Sequence, residues 1–332
     1  MDSARRFLKI EYDDFSASQL HALESLMVTL SFLSFFGGVF VVATFAKFPS
    51  VRSKFAFEQV ANMAFADTGA CISYFLSLSP DSYSVCQAQA LLQQLFELSS
   101  VLWATVIATT LNLAVRKQES LADIKHHRLY CYGYAWAIPF VVCLLPLMSD
   151  SYGLAGAWCW IKEKPRAESH AWRFSIFYGP VWCAIVYNGY VYTRCIIVLR
   201  RLSSVASDEA AFKLRRTIQR LMYYPLILVI GWTPGTINRL QQLVHPKHPV
   251  FALYVLTVLS RSLIGFFNAL AFLATENVRS EWRGALFAAV PPAEFEPFCA
   301  DAPPRKERKT SAIEFTRTAA AEEVENIMPS KI

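Results

Sequence analysis

QRLMYYPLILVIGWTPGTINRLQQL, residues Gln219 to Leu243, is an apolar run with polar residues at both ends and two prolines, Pro225 and Pro234. A helix of this length crosses a hydrocarbon core of about 30 Å. Each proline removes a backbone donor and crowds the carbonyl four residues before it, so a kink is expected at each. In lipid the freed carbonyls need partners from neighbouring helices, hydroxyls or water. Such a helix belongs inside a bundle and suits a moving part.

Around that stretch the chain has the composition of a polytopic membrane protein. Its 332 residues are 54% hydrophobic and 14% aromatic, and the mean hydropathy is +0.30, too apolar for an ordinary soluble domain. The net charge of +6 does not indicate nucleic acid, because the basic residues sit in short clusters between apolar runs, where retention on the cytoplasmic side explains them. The first residues, MDSARRFLKIEYDDFSASQL, show no apolar signal-peptide core and read as an extracellular N-terminus over 1–20. Seven runs are long enough to span: His21 to Ala46, Phe55 to Ser79, Gln87 to Val115, Leu129 to Met148, Trp172 to Leu199, Gln219 to Leu243 and Phe251 to Thr275. The second is the most polar, diluted by Glu58, Gln59, Asn62 and Asp67. The expected fold is an all-α, seven-transmembrane helix bundle over 21–275.

Loop charges set the orientation. Cations cluster after the first, third, fifth and seventh runs, which makes those loops cytoplasmic and the N-terminus external. Arg5, Arg6 and Lys9 run against this bias, with Glu11, Asp13 and Asp14 beside them. After Thr275, Val278, Trp282, Leu286 and Phe287 recur at helical spacing, as in an amphipathic membrane-surface helix over 276–290. Pro291 and Pro292 close it, and the tail over 291–332 is expected to be disordered and cytoplasmic. No internal repeat argues for an inverted-repeat transporter.

Of eight cysteines, Cys86 and Cys159 fall on the oxidising side, and a disulfide between them would pin the long outer loop across the bundle mouth. Cys71, Cys131, Cys143, Cys183 and Cys195 lie within spans and read as packing residues. No Cys or His spacing suggests a metal site. Ionisable residues within spans carry the sharper signal. At about 1.5 Å per residue, Asp67, Glu97 and Arg261 all fall near the bilayer midplane, where a charge costs about 2.5–3.5 kcal/mol unless paired or hydrated. Arg261 is expected to pair with Glu97 or Asp67, either as part of a ligand site or as an ion pair that fixes helix register.

Enzymatic readings find no support: there is no Gly-rich phosphate loop, HExxH helix or nucleophile elbow. A retinal pump needs a lysine in the last span, and Phe251 to Thr275 has none. No cofactor is expected. Receptor remains, with a channel or transporter using the Asp67, Glu97 and Arg261 layer as its polar path as the alternative.

FYGPVWCAIVYNGY (Phe177 to Tyr190), YYPLILVIGW (Tyr223 to Trp232) and GTINR (Gly235 to Arg239) resemble the cyclic-AMP-receptor-like G-protein-coupled receptors of slime moulds and, more closely, their plant relatives. Leu102-Trp103, WCW at Trp158 to Trp160 and GFFNALAF at Gly265 to Phe272 extend the likeness over nearly all of Leu26 to Trp282. The resemblance implies a plasma-membrane receptor with an outer N-terminus, a Cys86 to Cys159 bridge, a small extracellular ligand and a heterotrimeric G-protein alpha subunit as partner. Trp160, Asn238 and Arg239 become candidates for ligand contact, and Asn188, Trp232, Pro234 and Asn268 join Asp67, Glu97 and Arg261 as ligand or switch residues. A cyclic nucleotide would need an outer cationic site, for which Arg239, Lys162, Lys164 and Arg166 are available. LNLAVRKQ ends the third span without the acidic-Arg-aromatic triplet of rhodopsin-like receptors, and NALAF stands where those carry NPxxY. Agonist is expected to drive an outward swing of the sixth helix, opening a cleft lined by Arg116, Arg200, Arg201, Arg215, Arg216 and Arg220 to an acidic partner. RRLSS and RKTS, with Ser203, Ser204, Thr310 and Ser311, resemble substrates of a basophilic kinase, whose phosphates would cancel positive charge or dock an arrestin-like partner.

Overall fold

A computed structural model describes residues 15–76, 82–117, 127–155, 158–162, 166–203, 216, 219, 221–245 and 248–289. The chain divides into Met1–Leu286, which holds the bundle, and a short unit Phe287–Ile332, of which only 287–289 are described. Among the described residues there are seven long helices: α1 (Ala17–Lys47), α2 (Phe55–Phe75), α3 (Tyr83–Lys117), α4 (Arg128–Met148), α5 (Arg166–Arg173 running through Phe174–Tyr178 into Gly179–Ser203), α6 (Tyr223–Val244) and α7 (Phe251–Leu273). A shorter helix, α8 (Glu276–Ala289), follows, and β1 (Tyr152–Leu154) pairs antiparallel with β2 (Cys159–Ile161) between α4 and α5. The protein is a multi-pass, all-α membrane protein.

α1 begins four residues ahead of the apolar run, because Ser16 accepts from the Gln19 amide while Gln19 accepts from the Ser16 amide, a capping box that satisfies two donors of the first turn. α3 lies at the centre, against α2, α4, α5, α6 and both strands, while α1 packs on α2 and α7. Among the described residues five helices, α1, α3, α4, α5 and α7, are long and apolar enough to cross a membrane. α2 and α6 fall outside that group for a shared reason: Glu58, Gln59 and Asp67 on α2 and Asn238 and Arg239 on α6 are buried against other helices. Their polar atoms meet protein and not lipid, which is the condition for carrying them inside a bundle.

Prolines shape three helices. α4 and α5 each contain a π turn, at Gly133–Ala137 and Phe174–Tyr178, and each π turn ends two residues before a proline, Pro139 and Pro180. The ring of a mid-helix proline clashes with the carbonyl four residues back, and the wider π turn relieves that crowding. In α6 the regular helix starts at Tyr223 after a turn at Met222, one residue past the Leu221 carbonyl that Pro225 crowds, while Pro234 stays inside the helix. The freed carbonyl there belongs to Ile230, but the nearby hydroxyl, Thr233, takes Val229 O at 2.6 Å instead.

α8 folds back on the end of α1. Val278 is fully buried, and the Trp282 ring stacks on Phe40 at 5.7 Å, meets Phe48 edge-on, donates to Thr44 and sits 4.8 Å from Lys47 Nζ.

Candidate functional site

The site is assembled around Arg261 of α7. Its Nη2 donates to Glu97 Oε1 on α3, with the two side chains only 9% and 5% exposed. Tyr74 Oη on α2 donates to the same carboxylate oxygen. The guanidinium also faces two indole rings, Trp232 of α6 at 5.1 Å and Trp158 of the β1–β2 loop at 6.0 Å, within the range of cation–π attraction. One buried cation therefore touches α3, α6, α7 and the hairpin. Beside it lies a cavity of about 30 Å³, bounded by Asp67, Tyr74, Glu97, Trp232 and Arg261 among others, room for about one water.

Of the two carboxylates expected near Arg261, Glu97 takes it. Asp67 accepts instead from Ser100 Oγ at 2.5 Å and from Asn268 Nδ2 at 2.8 Å, which ties α2 to α3 and α7. α7 is interrupted at Leu263, between Ser262 and Ile264. Ser34 of α1 occupies that break: its hydroxyl donates to Ser262 O at 2.5 Å and accepts from Phe266 N at 3.0 Å. Those two groups are four residues apart and would bond each other in an unbroken helix, so a side chain has inserted into the ladder. Close approach of helices there needs glycine. A Cβ on Gly265 would lie 3.1 Å from both Asp67 Cβ and Ser34 Cβ, and one on Gly231 of α6 would lie 2.7 Å from Ile264 Cγ1.

Above the Arg261 group the hairpin forms a lid. Cys86 at the start of α3 is disulfide-bonded to Cys159, Cα–Cα 5.3 Å. Gln89 accepts from Cys159 N at 3.2 Å, and Arg173 Nη2 donates to Ile161 O at 2.6 Å. Trp160 is buried between two guanidinium groups, Arg173 at 5.7 Å and Arg239 at 5.9 Å. Its indole N–H donates to Gln94 Oε1 at 2.9 Å, while Gln94 Nε2 donates to Ile176 O at 3.1 Å. Ile176 stands four residues before Pro180, which has no N–H to offer its carbonyl. Gln94 thus satisfies a proline-orphaned carbonyl and holds the lid with the same amide. At the rim Asp150, with φ 52°, accepts from Tyr83 Oη and from Lys162 Nζ at 3.0 Å. These donors, Tyr83 foremost, hold its carboxyl below the usual range.

The remaining sequence candidates separate. Trp232 belongs to the Arg261 group, and Asn268 to the Asp67 group. Arg239, buried, donates to Tyr178 Oη and Gln242 Oε1, so in this state it is enclosed by protein and is no open anion site. Lys162 is likewise committed to Asp150, Lys164 lies outside the described residues, and of Arg166 only the backbone is described. Asn238 is buried in α6, its Oδ1 without a partner among the described residues. Asn188 makes its bonds elsewhere, to Ala184 O and Thr105 Oγ1. At the opposite end Arg200 and Arg216 are exposed, and Arg216 pairs with Glu276 of α8. For Arg116, Arg201 and Ser203 only the backbone is described, while Arg215, Arg220, Ser204, Thr310 and Ser311 lie outside the described residues.

Sequence reading passed over Ser34, Tyr74, Gln94, Ser100 and Trp158. Two of them were within reach of helical periodicity, since Tyr74 is two turns beyond Asp67 and Ser100 one turn beyond Glu97. A further network joins α2 to α4: Arg128 Nε meets Glu58 at 2.5 Å, Tyr132 Oη donates to Glu58, and Trp136 Nε1 donates to Asn62. The polar residues that diluted the second run are therefore paired within the bundle.

A seven-helix bundle with an interrupted seventh helix, a surface helix after it and a disulfide-pinned hairpin over one end is the receptor fold of the rhodopsin type. The crystal structure of squid rhodopsin superposes with a TM-score of 0.62 at 16% identity, covering 83% of this chain and 88% of that one. The chain belongs to the slime mold cyclic AMP receptor family, whose pattern matches residues 15–312. It is 34% identical to G-protein coupled receptor 1 of Arabidopsis thaliana over 256 residues, 75% of this chain and 77% of that one. Cyclic AMP receptor-like protein A of Dictyostelium discoideum is 24% identical over 313 residues, 94% and 78% of the respective chains.

Proposed function

We propose that this receptor sits in the plasma membrane with its N-terminus and hairpin lid outside, takes a small extracellular ligand beneath the lid, and activates a heterotrimeric G protein at the opposite end. The observation that carries this reading is the position of Arg261, in contact at once with lid Trp158, with Glu97 and with Trp232 of the proline-bearing α6. A ligand that lifts Trp158 or competes for the guanidinium changes the packing on Trp232, and α6 answers by swinging outward at its other end. Two buried cations, Arg261 and Arg239, flank Trp232 and Trp160, which favours an anionic, ring-bearing ligand of the cyclic-nucleotide type. The lid must open first, because the cavity at the cation is only about 30 Å³. At the other end the exposed Arg200 and Arg216, with Arg116, Arg201, Arg215 and Arg220 of the same loops, would receive an acidic G-alpha C-terminus. Kinase action at Ser203, Ser204, Thr310 or Ser311 would cancel that charge or recruit an arrestin-like partner.

The test is nucleotide exchange on the native G-alpha subunit in vesicles with and without the protein, across cyclic nucleotides and other small anions. Ligand-dependent acceleration that the paired change Glu97→Gln with Arg261→Met abolishes, with folded yield and the disulfide retained, is the expected result; the pair is changed together so that no uncompensated charge is left buried. Folded protein that never accelerates exchange, but passes ions across the same vesicles, would overturn it in favour of a channel.

A further inference from the structure

A second and much larger cavity, about 660 Å³, opens between α3, α4 and α5, within the about 300–1,000 Å³ range of small-molecule sites. It lies on the far side of α3 from the Arg261 group and shares no lining residue with that site. Its mouth is in the lipid-facing flank of α4, where Tyr130 and Ile138 are exposed. Along α4 it runs from His127 to Val142, about 22 Å at 1.5 Å per residue. That is one leaflet's half of the roughly 30 Å core plus the interface above it.

Its lining is polarised along that length. The end towards the start of α4 carries His127, Tyr130, Thr109 and Tyr187, with Thr109 Oγ1 donating to Tyr187 Oη at 3.2 Å. The end at the bilayer centre is closed by Leu98, Val142 and Pro180. No Lys or Arg is among the described residues that line it. Apolar at the midplane and polar at the interface, the slot matches a single-headed amphiphile standing along the membrane normal. A polar end whose described lining offers hydroxyls and no Lys or Arg suits an alcohol, since a phosphate head would call for cations. About 660 Å³ over that length is a mean cross-section of about 30 Å², which suits a fused ring system better than one acyl chain.

We infer that the α3–α4–α5 crevice is a sterol-binding site, with the ring system against Leu98 and Val142 and the hydroxyl at Thr109 and Tyr187. The sterol fills space that hydrocarbon chains pack poorly, and bound there it braces α4 and α5 on α3. Occupancy is independent of the agonist beneath the lid.

The full chain is reconstituted in phosphatidylcholine nanodiscs with a photoreactive sterol probe. Labelling is expected to map to α3, α4 and α5, to saturate, and to be competed by unlabelled sterol but not by excess phosphatidylcholine. Val142→Trp with Cys183→Trp fills the slot and should weaken labelling about tenfold or more, equivalent to about 1.4 kcal/mol, with thermal unfolding kept cooperative. Should that variant fail to fold, the native Cys183, exposed in the slot wall, gives a second readout: sterol must slow its reaction with a maleimide. Unsaturable labelling, labels on other helices, equal competition by phospholipid, or a Cys183 that sterol leaves unprotected would each overturn the assignment.

Discussion

At the scale of single residues the receptor's core is held by charges and hydroxyls with few alternatives. Glu97→Gln leaves Arg261 charged and buried, with Tyr74 its neighbour; removing one partner of a buried pair costs about 3–5 kcal/mol. Thermal unfolding in detergent should fall accordingly, and Glu97→Gln with Arg261→Met should recover most of the loss, because no uncompensated charge is then left buried. A double variant as unstable as the single one would mean that the pair contributes more than mutual neutralisation. Ser34→Ala is expected to cost about 1–3 kcal/mol by stranding Ser262 O and Phe266 N, read by the same melts. Glu97, Asp67 and Arg261 were legible in the sequence because a charge in a span is expensive wherever it falls. Ser34 was not: a hydroxyl in a span is ordinary, and its meaning depends on a break in a helix more than two hundred residues away.

At the scale of elements the lid and the π turns stand out. Removing the 73-residue loop constraint by Cys86→Ser should destabilise the folded state by about 2–4 kcal/mol, and hydrogen exchange should accelerate first in β1 and β2. The rim carries a pH dependence of definite sign. The Asp150 carboxyl is depressed by Tyr83 and Lys162, so its contribution is complete above the ordinary aspartate value of about 3.9 and is lost as pH falls through the lower folded-state value. Relative to the intrinsic exchange rate at each pH, hairpin amides in the wild type should lose protection below about pH 4, while those of Asp150→Asn should be less protected already and respond little. The bridge was legible from where its cysteines fall between runs. The π turns were less legible: Pro139 and Pro180 mark both, but a proline alone does not say whether a helix kinks, breaks or widens. Gln94 needed the fold as well, since only packing shows it opposite the carbonyl that Pro180 leaves free.

At the scale of the whole molecule, the sixth helix is where the sequence reading and the structure bear most on function. The apolar runs made the helix bundle legible, and the described helix ends differ from theirs by a few residues where caps and prolines intervene. How α6 seats on α7 was hidden, because the contact is made by an absence. Gly231 leaves room for Ile264 just past the α7 break, and a methyl group there would lie 2.7 Å from Ile264 Cγ1. Gly231→Ala therefore wedges the two helices apart at a point about two turns from the start of α6. Overpacking of this kind costs about 1–3 kcal/mol, and part of that strain is relieved if α6 tilts away from the bundle. If outward movement of α6 is the activating step, Gly231→Ala should raise nucleotide exchange on G-alpha without ligand, by up to about tenfold for each 1.4 kcal/mol by which the wedge favours the open state. Adding Ile264→Ala removes the obstacle and should return exchange to the basal rate while leaving the Arg261–Glu97 pair in place. A Gly231→Ala protein that melts lower yet exchanges nucleotide at the wild-type rate would separate the strain from the signal, and would place the moving part in a helix other than α6.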